Sequence, residues 1–406
     1  MSVGLRGLVV QLGIKKNLLS SRRVFAIVDF PESGGAVMVT MFVTGFLLQS
    51  FKKPGPSYLN FWKIAIGDIM VLMFDVITIG TATRDVFLRS TLFRVLKDPT
   101  HLKKIGFPTG EAECFALGSK LELEKPVFTV GGGAANAAVT FARQGFKVAS
   151  VIKIGSDSAG QDILRNLKEE KVQLMEIVDK KLGTAYSTIL LTPGGERTIL
   201  VYRGASENIS KSEVKTSKLK AKWAYIVPGH IDFSTIQSLL SVLKKNGIMI
   251  AMNPSRFYIE MGPHKLRPIL ENLDIVILNR EEAVYLTGIE YSKTRKIFKK
   301  FDEIINGIAI MTDGARGALA SDGQYIYRAG IFKEKKLVDR TGAGDAFGSG
   351  FVAGLMQKKD IHYALQLASA NATSVVEAVG AEAGILVKKD LKSKRWHYLD
   401  LDIENL

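Results

Sequence analysis

The sequence predicts an α/β protein with a mostly parallel central sheet and helices on both of its faces. Three observations carry this. Short β-branched, buried-looking runs recur, among them "FDVITIG", "KVASVIKIG", "WAYIVPG", "NGIMIAMNP", "LDIVILN" and "GIAIMTDG". Stretches of helical composition, such as "AANAAVTFARQGF" and "SAGQDILRNLKEEK", stand between them. At 406 residues, 47% hydrophobic and 23% charged, the chain can bury a sizeable core. Strand and helix in alternation imply parallel strands joined by crossover helices, with ligand sites at the carboxyl ends of the strands.

Residues 1–72 read differently. The run "AVMVTMFVTGFLLQ" at 36–49 is their most apolar part. It falls short of the roughly twenty residues of a bilayer span. A signal peptide would place its basic and apolar regions nearer the start, so no firm membrane anchor is expected. The α/β pattern opens near Ile69, and Met70 and Met73 stand just before its first strand. We therefore expect 1–72 to be an extension upstream of the fold, with the natural start at Met70 or Met73.

From Phe74 the elements follow in order. "FDVITIG" is the first strand. Residues 88–128 interrupt the alternation with "PTG" and "LGSKLELEKPVF". "AANAAVTFARQGF" is a helix stopped by a glycine, "KVASVIKIG" a strand, and a second helix starts at Ser158. "STILLT" and "RTILVY" flank a turn with Pro193, Gly194 and Gly195, a β-hairpin signal. Segments of about 86–128 and 185–204 are expected to form a small β lid on a main domain of 73–388, with 389–406 as a tail. Each later strand, including "GIAIMTDG", is expected to lead into a helix. A strand-like "KKLV" at 335–338 leads into "DRTGAGDAFGSGF".

Composition narrows the function. The formal charge is +15 and the pI about 9.6. The basic residues come in short clusters, such as "KEKK" at 333–336, without the interleaved aromatics of a single-strand nucleic-acid binder. Solvated basic faces and anionic small ligands are expected, and no nucleic acid. The single cysteine, Cys114, rules out an internal disulfide and fits a reducing cytoplasm. The 5 histidines are scattered without zinc-ligand spacing. No G-x-x-x-x-G-K-[ST] loop is present, and "GGGAAN" at 131–136 is not G-x-G-x-x-G, which speaks against a dinucleotide-binding oxidoreductase.

The glycines around Asp345 hold the chemistry. Glycines before a helix let backbone N–H groups converge, and the helix N-terminus adds positive dipole. An acid in the first turn, Asp345, lies beside that anion hole. The pairing suits phosphoryl transfer, with donors for the moving group and a carboxylate for the nucleophile's proton. A plain helix cap is the alternative reading.

"DRTGAGDAFGSGF" resembles the C-terminal signature of the ribokinase-like (PfkB-type) carbohydrate and nucleoside kinases, and "GGGAAN" resembles their N-terminal one. The resemblance runs from about Phe74 to Leu386, with Arg340 where the family has Pro or Thr. It implies a ribokinase-like fold and ATP-dependent transfer to a hydroxyl of a sugar or nucleoside. Asp345 would be the base, and Gly342, Ala343 and Gly344 the anion hole. Asp85, Gly132, Gly133 and Asn136 would bind the acceptor. "NREE" matches the family's N-x-x-E element, which places Asn279 near the phosphates and Glu282 on the water shell of Mg²⁺. "TDGARG" implies nucleotide contacts for Thr312, Gly314 and Gly317, with Asn371 near the adenine. Asp339 and Thr341 match the family's monovalent-cation site, so K⁺ is an implied ligand, although the loop "AVGAEAG" lacks the Arg that ribokinase carries. Pairing of two copies through the lid is an arrangement the family uses. Arg84, Arg197 and Arg203 would suit a phosphorylated acceptor or the plain surface, and His230 either acceptor or solvent. A silent sugar or nucleotide sensor on the same fold is the runner-up.

Overall fold

The structure is a computed structural model that describes residues 73–406 except 108 and 193–196, together with the backbone of short strands before residue 48. Two compact units are present, Met1–Leu72 and Met73–Leu406. In the first, strands Val9–Gly13, Arg23–Phe30, Gly35–Phe42 and Gly45–Leu47 pair antiparallel in sequence order. The apolar run 36–49 supplies the last two; its remaining residues, and Met70, lie outside the described residues.

The second unit is built on an 11-stranded sheet. Its heart is a row of parallel strands: Val148–Gly155, Phe74–Gly80, Ala221–Val227, Met249–Met252, Ile275–Asn279 and Ile308–Thr312. All of Val148–Gly155 is buried, as expected of a strand covered on both faces. The two-residue alternation of side chains sends neighbours into different cores. Ile77, Ile226 and Met252 join one core with Leu239, Leu270 and Phe298 from helices Phe233–Lys245, Gly262–Leu270 and Thr294–Asp302. Val76, Tyr225 and Ala251 join the other with Phe141, Leu167 and Phe351 from helices Gly133–Arg143, Ser158–Glu169 and Ala343–Lys358. Fully burying one such large apolar side chain contributes roughly 1.5–3 kcal/mol. The helix expected at Ser158 starts there, with Asp157 as its cap accepting from the Gly160 amide at 2.9 Å.

A 4-stranded second sheet runs Arg197–Tyr202, Tyr186–Leu191, Thr83–Arg89, Val127–Gly131. Its middle pair is parallel and its outer pairs are antiparallel. This register sets Asp85 opposite Ser187 on one side and Thr129 on the other. The expected hairpin is present, although its turn, Pro193 to Gly195, falls outside the described residues.

Four expectations need correction. "KKLV" forms no strand: its Val338 amide donates to Val376 O at 2.8 Å and its Lys335 amide to Glu377 Oε1, with no ladder between them. Strand Ile308–Thr312 leads not into an α-helix but through a single 3-10 turn, Gly314–Arg316, into antiparallel strands Ala318–Ser321 and Tyr325–Ala329, because Gly317 at φ 89° reverses the chain. Residues 117–126 form no strand despite their alternation; pairing begins at Val127, which meets Phe87. Residues 389–406 are not a tail. Trp396 is buried against Phe332 and Leu386, and Leu401–Asn405 pairs with Tyr325–Ala329 as the last strand of the main sheet.

Candidate active site

Helix Ala343–Lys358 begins at Gly342, which stands at φ 78°. A Cβ there would lie 2.3 Å from that of Ala381, so both conformation and space demand glycine. The first closed helical bond is Ala346 N to Gly342 O at 2.8 Å, while Ala343 N reaches Arg340 O only at 3.4 Å. Beyond that long contact the first-turn amides have no partner among the described residues and can turn to an anion. Gly344 is exposed, and a Cβ on it would meet nothing within 4 Å.

Asp345 follows in that turn. Its Oδ2 accepts from Asn136 Nδ2 at 2.8 Å, which joins the two signatures across 209 positions. Burial raises the Asp345 pKa, the Asn136 bond opposes the rise, and the charge of Asp85 adds to it. Gly133 begins helix Gly133–Arg143 with a hydrogen bond from its amide to Thr81 Oγ1 at 3.0 Å. Its Cβ would lie 3.0 Å from Asp345 Oδ1 and 2.4 Å from Val227 Cγ1. Gly132, at φ 91°, passes equally close to Ala82. Asp85 is buried on the second sheet, where Thr83 Oγ1 donates to it at 2.8 Å and Ser187 bonds it as well. Burial lifts its pKa too, with Asp339 adding to the rise. Asp345, Asp85, Asn136, Gly132 and Gly133 thus gather at the carboxyl ends of two parallel strands. The Asn136 Oδ1 atom is buried there without a partner.

On the other side of the Asp345 turn, Thr312, Gly314 and Gly317 face Ala343, Gly344 and Thr373 across one cleft. The turn at Gly314 is braced from below. Asp313 holds Arg280 at 2.9 Å and accepts from Tyr291 at 2.7 Å. Its pKa falls to about 2: burial opposes the drop, and the bonds from Arg316, Tyr291 and Arg280 outweigh it. Arg280, Asp313 and Arg316 lie within the quoted "NREE" and "TDGARG", but nothing in those motifs marks them as a brace, and Tyr291 stands outside both.

Asn279 and Glu282 form a capping box on helix Arg280–Thr287: Glu282 N donates to Asn279 Oδ1 and Asn279 N to Glu282 Oε2, both at 2.8 Å. They stand at the strand end beside Thr312. The cap uses one Glu282 oxygen, which leaves the other for a metal's water shell, so the pair fits the Mg²⁺ expectation. Burial raises the Glu282 pKa, partly countered by the Asn279 amide.

Two expectations fit less well. Asn371 is fully buried: its amide donates to Ala346 O at 2.9 Å and its oxygen accepts from Leu386 N at 2.9 Å. It ties helices together, while its neighbours Ala372 and Thr373 line the cleft. Asp339 accepts from Thr341 N at 3.0 Å, Thr341 Oγ1 at 2.7 Å and Gly380 N at 3.0 Å. Arg197 of the second sheet stands 3.8 Å from it, a fixed cation at the place expected for K⁺. The residues present do not favour K⁺ there. Sequence reading also missed Glu382, 6% exposed, with Oε1 unpartnered and its side chain bonded to Asn166.

A layered parallel sheet with paired acids beside a glycine-rich helix start defines a kinase of small hydroxyl compounds. The family model of the pfkB family carbohydrate kinases matches residues 108–388, and the chain belongs to that family. It is similar to a ribokinase of Haemophilus influenzae, 29% identical over 269 residues that cover 64% of this chain and 85% of that one. It is also similar to an ATP-dependent 6-phosphofructokinase of Thermoanaerobacterium thermosaccharolyticum, 25% identical over 264 residues, covering 62% and 80%. The fold matches that of an Arabidopsis thaliana ribokinase complexed with ribose and ATP, at a TM-score of 0.65 and 20% identity, covering 80% of this chain and 99% of the other. The protein is accordingly a phosphotransferase with an alcohol group as acceptor, a sugar or nucleoside kinase.

Proposed function

We propose that the chain transfers the γ-phosphoryl group of ATP to a primary hydroxyl of a sugar or nucleoside, with Asp345 as general base. The observation that carries this is the Asn136–Asp345 bond of 2.8 Å beside a helix start whose first-turn amides close no helical bond. Asp345 takes the proton of the acceptor hydroxyl. The amides of Gly342, Ala343 and Gly344 offset charge on the phosphoryl group in transit. Asp85 and Asn136 hold the acceptor's other hydroxyls and so fix the attacking oxygen in line. Thr312, Gly314 and Gly317 lie along the nucleotide, whose phosphates pass between the open faces of Gly314 and Gly344. Mg²⁺, held through water by Glu282 with Asn279 beside it, would neutralise phosphate charge. Closure of the second sheet over the acceptor excludes water and limits idle ATP hydrolysis.

The test is ADP release from ATP and Mg²⁺ with a panel of sugars, nucleosides and sugar phosphates. Turnover with one class of acceptor is expected. Asp345→Asn should retain ATP binding and lose on the order of 10²–10⁴-fold in kcat. Full activity in that variant refutes the base assignment. Tight sugar or ATP binding without turnover by any acceptor replaces the kinase reading with the sensor.

A further inference from the structure

A hydroxyl is recognised by lone pairs, whereas a phosphomonoester is recognised by fixed cations and N–H donors. The acceptor end of this site presents lone pairs. Asn136 Oδ1 is buried without a partner, and the Asp85 and Asp345 carboxylates stand close enough to sense each other's charge. The arginines that could have served a phosphate are held by acids of the chain itself. Arg84 Nη2 lies 3.2 Å from Asp162, and its Nη1 donates to Thr129 O at 3.1 Å. Arg197 stands 3.8 Å from Asp339.

Arg203 is the most telling. Its Nη1 lies 2.7 Å from Glu207 Oε1, and His230 Nδ1 lies 3.2 Å from the other oxygen of the same carboxylate. The Glu207 side chain is 11% exposed against 53% for Arg203, so the acid is the anchor and the guanidinium the tethered partner. This group is close to the acceptor. A Cβ on Gly229 would fall 2.8 Å from Glu207 Oε1 and 2.6 Å from Thr81 Cγ2, and Thr81 in turn bonds the amide of Gly133 beside Asp345. Tyr202, Arg203, Glu207 and His230 line one open cleft there.

We propose that the acceptor is an uncharged polyhydroxyl compound, a free sugar or nucleoside, and that Glu207 is a specificity residue that withholds Arg203 and His230 from phosphorylated acceptors. The proposal rests on the kinase reading above and narrows it. A phosphomonoester would meet clustered carboxylates with the nearby arginines already engaged, and like charges in a confined site are strongly disfavoured.

The experiment compares kcat/KM for neutral acceptors and their phosphates: ribose with ribose 5-phosphate, fructose with fructose 6-phosphate, cytidine with cytidine monophosphate. The best neutral acceptor should exceed its phosphate by at least about 100-fold. Glu207→Gln keeps the size of the side chain and removes its charge. It should leave neutral turnover within about threefold and narrow the gap roughly tenfold, mainly through KM for the phosphate. A phosphorylated acceptor preferred by the wild type overturns the proposal and leaves the kinase standing. An unchanged gap in Glu207→Gln overturns the role of Glu207. Turnover of no acceptor at all removes the kinase reading, and the proposal with it.

Discussion

At Asp345 burial and a hydrogen bond pull the carboxyl in opposite directions. Burial raises its pKa and the Asn136 amide lowers it. A base works unprotonated, so kcat/KM should fall as pH drops through this raised pKa, above the usual aspartate value of about 3.9. Asn136→Ala removes the lowering bond, and the acid limb of the pH profile should move upward. A limb that stays in place would show that Asn136 does not tune the base. Glu382 gives a stability counterpart. Burial, with Glu170 and Asp85, lifts its pKa to about 8 against the pull of Asn166 and Arg143. A raised acid favours the folded state when protonated. Its contribution is whole below about pH 4.5 and is lost as pH climbs toward about 8. Glu382→Gln should therefore gain several degrees in Tm over the wild type at about pH 8 and little at about pH 5, by calorimetry. Asn371→Ala should cost roughly 2–4 kcal/mol of stability by leaving buried groups unpaired, with KM for ATP unchanged. Asp345 was legible in the sequence because its glycines mark it. Glu382 was not, since burial leaves no local pattern, and Glu207 showed only its four-residue spacing to Arg203, with nothing to announce the approach of His230.

Among the elements, the helix start at Gly342 is the most constrained. Gly342→Ala meets both a φ of 78° and the Ala381 side chain, so it should distort the anion hole and cost about 100-fold in kcat while leaving most of the fold intact; circular dichroism with single-turnover kinetics separates the two. The capping box on Arg280–Thr287 separates structure from chemistry. Glu282→Gln can still accept the Asn279 amide, so Tm should hold while half-saturating Mg²⁺ rises about tenfold. Equal Mg²⁺ dependence would reduce Glu282 to a cap. The parallel strands and their helices were legible from apolar runs and glycine stops. The edge was not. Gly317 turns the chain where a helix was expected, and the closing strand Leu401–Asn405 alternates too weakly to announce itself, with four of its five residues exposed.

At the scale of the whole molecule, the second sheet rests on the parallel pairing of Thr83–Arg89 with Tyr186–Leu191. Phe128, Leu200 and Tyr202 on it are about half exposed. Pairing of two copies through this sheet is the expected use of that surface, and Leu200→Lys should shift a dimer to monomer in light scattering; a monomeric wild type discards this arrangement. The Asn136–Asp345 bond has one more consequence. Its partners are separated by 209 positions. During synthesis, from the N-terminus at roughly 5–20 residues per second, Asn136 leaves the ribosome long before its partner exists. A nascent chain therefore carries half a reaction centre for many seconds, and it cannot consume nucleotide until Asp345 has followed Asn136 out.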